Sequence, residues 1–105
     1  MKTKSLGRQL LVELYGCNLS VIGNKALVRE AMLGAAKVAR ATIVADVFHE
    51  FSPHGISGVV VIAESHIAAH SWPEYGCVSI DLFTCSEEMN AELAVRFLEL
   101  AFQAR

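Results

Sequence analysis

Polar and apolar residues alternate with period two from Cys77 to Thr84, with Val78, Ile80 and Leu82 against Ser79, Asp81 and Phe83. That pattern predicts a half-buried strand. Leu10 to Tyr15 is short and apolar, is closed by Gly16, and predicts another strand. Ala41 to Phe51 is rich in β-branched and aromatic residues, with Ile43, Ala45 and Val47 on one alternation, so it also predicts a strand. Ile56 to Ala63 follows the turn-like Ser52-Pro53-His54-Gly55 cluster, and that separation favours an antiparallel hairpin. Two segments carry the other period. Leu27, Val28, Ala31, Met32, Ala35, Val38 and Ala39 recur at helical spacing, with Asn24 placed to cap the helix. Leu93, Phe97, Leu100 and Ala101 do the same within Asn90 to Arg105. Helices interspersed with strand pairs predict an α+β domain whose mostly antiparallel sheet is covered on one face. The other face needs a partner, so a homodimer is expected.

At 105 residues the chain has room for one domain, 1–105, and 53% hydrophobic against 19% charged residues gives it the means to build a core. A net charge of −2 offers no electrostatic footprint for nucleic acid or for an anionic membrane. The longest apolar run, Val59 to Ala63, is far too short to span a bilayer, and the basic start, Met1 to Arg8, leads into no long apolar stretch of a signal peptide. Cys17, Cys77 and Cys85 are odd in number and lack Cys-x-x-Cys spacing. They predict no disulfide framework and fit a reducing, cytoplasmic setting.

Reactive side chains crowd into Glu64-Ser65-His66-Ile67-Ala68-Ala69-His70-Ser71-Trp72-Pro73-Glu74, a stretch expected between two strands, where function-bearing loops usually sit. His66 and His70 are four apart, but Ile67 occupies the place where a zinc-protease helix needs Glu, and no third ligand is evident. Metal binding is therefore not expected. A serine hydrolase is disfavoured by the lack of a Gly-x-Ser-x-Gly elbow. Taken singly, Ser65 reads as a turn serine, His70 as a satisfied polar residue and Cys85 as a small buried hydrophobe.

Taken together, Glu64-Ser65-His66, His70, Trp72-Pro73-Glu74 and Asp81-Leu82-Phe83-Thr84-Cys85 resemble the small prokaryotic S-adenosylmethionine decarboxylase proenzymes. The likeness extends over Leu6-Gly7-Arg8, Ala41-Thr42-Ile43-Val44, Phe48-His49, Phe51 and Gly55 to Ile62. It implies an α+β fold with two helices on one face of the sheet, here lacking the C-terminal strand with which relatives continue.

The resemblance also implies self-cleavage between Glu64 and Ser65. The Ser65 hydroxyl attacks the Glu64 carbonyl, and the resulting ester undergoes β-elimination. A β-chain of residues 1–64 and an α-chain of residues 65–105 are left, with former Ser65 now a pyruvoyl group. Serine suits this because its Oγ is first nucleophile and then leaving group. His70 matches the family histidine that assists processing, where an imidazole can take the α-proton, and Ser57 matches a serine that supports it. The pyruvoyl carbonyl is implied to form a Schiff base with the substrate amine and to act as an electron sink without a metal. Cys85 matches the cysteine that returns a proton to carbon after CO₂ leaves; a thiol is ordinarily protonated at neutral pH. Phe51 matches a ring stacked on adenine and Glu74 the carboxylate that holds the ribose hydroxyls. Trp72 is a further candidate wall, since an aromatic face also attracts a sulfonium. The implied product is the aminopropyl donor of spermidine synthesis, made by a homodimer with sites at its interface. A pyruvoyl-dependent arginine or ornithine decarboxylase of the same fold, or a non-catalytic regulatory homologue, is the alternative; Phe51 and Glu74 favour the adenosyl substrate. Cys17 and Cys77 are assigned no chemistry, and the role of His66 in the motif stays open.

Overall fold

A computed structural model describes residues 7–105; Met1 to Leu6, with most of the basic N-terminal stretch and the first residue of Leu6-Gly7-Arg8, lie outside the described residues. The strands are β1 (Arg8–Leu14), β2 (Ile43–Glu50), β3 (Ile56–Ile62), β4 (Ser65–Trp72) and β5 (Cys77–Thr84). They form one five-stranded sheet in the order β1-β5-β4-β3-β2. Every pairing is antiparallel. The helices are α1 (Leu19–Ile22), α2 (Lys25–Val38) and α3 (Ala91–Ala101).

Both long helices start as their sequences predict. The Asn24 side chain accepts from Leu27 N–H at 3.1 Å, and Asn90 does the same for Leu93 at 3.0 Å, each satisfying a donor the helix leaves unpaired. Val28, Ala31, Met32 and Ala35 of α2 and Ala91, Ala94 and Leu98 of α3 are buried. They pack on the face formed by Leu14, Ile56, Val60, Ile62, Ile67, Ala69, Val78, Ile80 and Leu82. Small residues on α2 let the helices approach; Gly34 leaves room for the Phe97 ring, which would meet an added Cβ at 2.6 Å. Gly58 does the same on the sheet, where the Phe48 ring of the neighbouring strand lies 2.1 Å from the place of a Cβ. The buried Ser71 hydroxyl donates to Ile22 O at 2.8 Å and accepts from Ile56 N–H at 3.1 Å. It thereby ties β4, β3 and α1 at a polar position that burial would otherwise penalise.

Two expectations are corrected. A third helix, α1, joins the two long ones; Asn18 caps it through Ser20 N–H, but four residues are too few to show a period. The Ser65–Trp72 stretch, expected as a loop, is strand β4 in the middle of the sheet. Ile67, Ala69 and Ser71 point to the helices, and His66, Ala68, His70 and Trp72 point the other way. Polar residues on one face and small ones on the other concealed its period.

No helix among the described residues is long and apolar enough to cross a membrane. The sheet face opposite the helices has no covering layer from the described residues. Leu11, Val47 and Val61 stand exposed on it beside Ala68 and Phe83.

Candidate active site

β3 and β4 are joined by a tight turn at Ala63 and Glu64, so Ser65 opens β4 directly opposite Ile62. A two-residue hairpin normally needs positive φ at its central residues. Here neither Ala63 nor Glu64 has it; Ser65 does, with φ 147°. A side-chain-bearing residue in that region is strained by about 1–3 kcal/mol, and the strain falls on the residue after the Glu64–Ser65 peptide.

The surroundings fix this peptide from both sides. The Glu64 carbonyl accepts from Cys85 N–H at 2.9 Å. Its carboxylate accepts from Thr42 N–H at 3.0 Å and from Thr42 Oγ1 at 3.3 Å. The Thr42 N–H bond holds the Glu64 carboxyl below its usual range. Ser65 pairs with Thr84, which brings exposed Cys85 beside the turn. The Ser65 hydroxyl lies 3.2 Å from His66 Nδ1. Beyond Cys85 a polar hollow of about 430 Å³ is lined by Gly7, Arg8, Thr84, Ser86, Glu87 and Met89.

The other expected residues gather at the far end of β4. His70 pairs with Ser57, and Ser57 Oγ is hydrogen-bonded to His70 Nδ1. His70 packs on Trp72 with ring centroids 4.2 Å apart and faces Phe51 at 5.9 Å. His49 adds an edge-on contact with Phe51 at 4.5 Å. Glu74 follows on the 3₁₀ turn Pro73–Tyr75, exposed to solvent and ended by Gly76 at φ 65°. Next to this aromatic cluster a groove of about 670 Å³ runs over the open face between β1 and β4, with Glu13, Tyr15, His70, Ser79 and Asp81 on its walls. Tyr15 donates to Glu13 at 2.8 Å, and that bond raises the Tyr15 pKa.

The expected residues thus form two half-sites within one chain. Glu64, Ser65 and Cys85 sit at one end of β4, and Ser57, His70, Phe51, Trp72 and Glu74 at the other. From Ser65 to His70 is five residues along a strand, about 16 Å. Thr42 and the Cys85 N–H complete the first half-site. Thr42 lies in the matched Ala41–Val44 segment, but its contact with Glu64 and the Cys85 N–H bond could not be read from sequence, because one is a loop contact and the other is made by the backbone. Cys17 and Cys77 are buried, and burial pushes both thiols up, away from the nucleophilic form. Among the described residues no cluster of three His, Cys, Asp or Glu side chains is arranged to hold a metal.

The chain falls in the class of small two-layer α+β proteins, with a strained serine on a hairpin near a cysteine and a Ser–His pair further along the same strand. The comparisons narrow that class. The S-adenosylmethionine decarboxylase family profile matches residues 8–105, and the chain belongs to that family. It is 48% identical over 101 residues to an S-adenosylmethionine decarboxylase proenzyme of Thermodesulfovibrio yellowstonii, covering 96% of this chain and 75% of the relative. It is 49% identical over 102 residues to the proenzyme of Thermotoga petrophila, covering 97% and 78%. A crystal structure of the adenosylmethionine decarboxylase from Aquifex aeolicus VF5 superposes with a TM-score of 0.90 at 35% identity, covering 98% of this chain and 85% of that one.

Proposed function

We propose that this chain is a cytoplasmic proenzyme that cuts itself between Glu64 and Ser65 and then decarboxylates S-adenosylmethionine, providing the aminopropyl donor for spermidine synthesis. The observation that carries the proposal is the state of the Glu64–Ser65 peptide. Its serine is held at φ 147° and its carbonyl receives the Cys85 N–H at 2.9 Å. The first raises the energy of the uncut chain relative to a turn released from that geometry. The second places a fixed donor where negative charge develops when Ser65 Oγ adds to the Glu64 carbon. The Thr42 clamp on the Glu64 side chain stops the acyl half from drifting during the attack. Cleavage at this peptide divides the single domain 1–105 into a β-chain of 1–64 and an α-chain of 65–105.

The residues present fit a pyruvoyl group, because Ser65 has the hydroxyl that the conversion needs and heads the α-chain. Such a group supplies a carbonyl that binds an amine and draws electrons from the bond that loses CO₂. The chain's own residues do the rest. Cys85, exposed and next in sequence to Thr84, the strand partner of Ser65, is in this reading the residue that returns a proton to carbon. Phe51 and Trp72 offer rings to the adenine and the sulfonium, and Glu74 offers a carboxylate to the ribose.

The two half-sites work together when two protomers associate through their open sheet faces. Each active site then takes Ser65 and Cys85 from one protomer and Ser57, His70 and the aromatic wall from the other. A five-stranded face about 24 Å wide and 25 Å long projects about 600 Å² per protomer, about 1,200 Å² in all. That is the lower end of the range for a stable, specific interface.

Intact-mass spectrometry tests the proposal. The expected products are a fragment of residues 1–64 and a fragment from residue 65 that gains mass on borohydride reduction. CO₂ release is expected from S-adenosylmethionine and not from arginine or ornithine. A chain that stays whole under all conditions, or a Ser65→Ala variant that still cuts, overturns it.

A further inference from the structure

Four side chains on the open sheet face line up on the cleavage-site hydroxyl. Ser65 Oγ is 3.2 Å from His66 Nδ1. His66 Nε2 is 3.8 Å from Asp81 Oδ2. The other Asp81 oxygen, Oδ1, accepts from Gln9 Nε2 at 2.9 Å. Phe83 lies nearly parallel to the His66 ring, 15° between planes and 6.2 Å between centroids, which sets the plane of the imidazole. Three neighbouring strands, β1, β5 and β4, contribute to this row through the registers Gln9↔Phe83 and His66↔Phe83.

We infer that His66 is the general base of the first processing step and that Asp81 is its positioning residue. This rests on self-cleavage at Glu64–Ser65 as proposed above. If Ser65 donates to Nδ1, the ring proton is on Nε2 and points at the Asp81 carboxylate. As Oγ bonds to the Glu64 carbonyl carbon, the hydroxyl proton moves to Nδ1 and the carbonyl electrons move onto oxygen, where the Cys85 N–H meets them. When the Glu64 C–N bond breaks, its electron pair leaves on the Ser65 nitrogen, and the proton held on His66 goes there. The products are an ester and a neutral amine, with no proton gained or lost. While His66 is doubly protonated, Asp81 balances its charge. The same protomer carries the base for its own serine, whereas His70 is about 16 Å away along the strand. The two histidines therefore divide the chemistry, His66 forming the ester and His70 promoting the elimination that consumes it.

The test follows freshly synthesised full-length chains by intact mass, with and without hydroxylamine, which cuts an ester and leaves an amide. His66→Ala is expected to slow cleavage at least about 100-fold, to remain resistant to hydroxylamine, and to be partly rescued by free imidazole. His66→Gln, of similar size, is expected to show the same block with an unchanged circular dichroism spectrum. His70→Ala is expected to stall later, as an ester from which hydroxylamine releases the 1–64 fragment. Asp81→Asn is expected to slow ester formation and Asp81→Glu to restore much of it. Wild-type rates in both His66 variants, or a hydroxylamine-sensitive ester accumulating in them, overturn the assignment. Equal slowing by Asn and Glu overturns the role of Asp81. A wild-type chain that never cuts refutes self-cleavage itself, and so is distinguishable from either failure.

Discussion

If each active site is shared between protomers, two variants that cannot process alone should process together. His70→Ala keeps Ser65 and Cys85 but lacks the histidine; Ser65→Ala keeps the histidine but has nothing to cut. From Ser65 to His70 within one chain is about 16 Å along β4, whereas the two side chains together reach about 7 Å from their Cα atoms. Both residues lie in a paired strand flanked on both sides, so no local rearrangement closes that gap. When the variants are co-expressed in equal amounts with random pairing, about half of the His70→Ala chains meet a Ser65→Ala partner in a two-fold dimer. About half of the His70→Ala chains should then be cleaved, against almost none when either variant is made alone. A mass tag on one variant makes the two distinguishable in a single spectrum. Uncut His70→Ala chains in the mixed dimer, or normal cleavage by a protein that stays monomeric, would refute the shared site.

Cys85→Ala should self-cleave at close to the wild-type rate, because the donor to the Glu64 carbonyl is its main-chain N–H; CO₂ release should fall sharply in a single-turnover assay. Gly58→Ala should destabilise the fold by about 1–3 kcal/mol in urea unfolding, since the added methyl meets the Phe48 ring; an unchanged midpoint would contradict that packing. In the uncut Ser65→Ala background, the Thr42 bonds to Glu64 should stabilise the turn at neutral pH. Because the Glu64 pKa is lowered on folding, that contribution is present above the ordinary carboxylate value and lost as pH falls through the folded one. The stability difference from a chain also carrying Glu64→Gln should shrink in acid; a difference that grows there would reverse the sign.

Strong periodicity made much of the fold legible. The Asn24 cap, the presence of the two long helices and the alternation of β5 stand in the sequence as they do in the structure, whereas the Asn90 cap and the end of α3 at Ala101 emerge only there. Strand β4 was not legible as a strand. Its buried face is built of Ile67, Ala69 and Ser71, only one of them large and apolar, and its other face carries two histidines. Its conformation is imposed by β3 and β5 on either side, a tertiary effect that outweighs local preference. That single misreading also hid the arrangement of the site. In a loop, Ser65 and His70 can be neighbours; in a strand, the same five residues hold them apart. The candidate site residues stand out through their spacing in a family pattern, while the Thr42 clamp and the Cys85 N–H depend on chain segments that meet only after folding.

The strand order has one more consequence. A cut after Glu64 leaves β1, β2 and β3 on one fragment and β4 and β5 on the other, yet the sheet runs β1-β5-β4-β3-β2. The shorter fragment is inserted between strands of the longer one, held by the β1–β5 ladder on one side and the β3–β4 ladder on the other. Before the cut, folding is a unimolecular search; afterwards, recovery from denaturation requires two separate molecules to find each other, so it depends on concentration. A protein cut at that peptide would be kept intact by the slowness of its unfolding more than by any ease of re-forming. If the chain cuts itself as proposed, self-cleavage would work as a ratchet that only an already folded chain can pass.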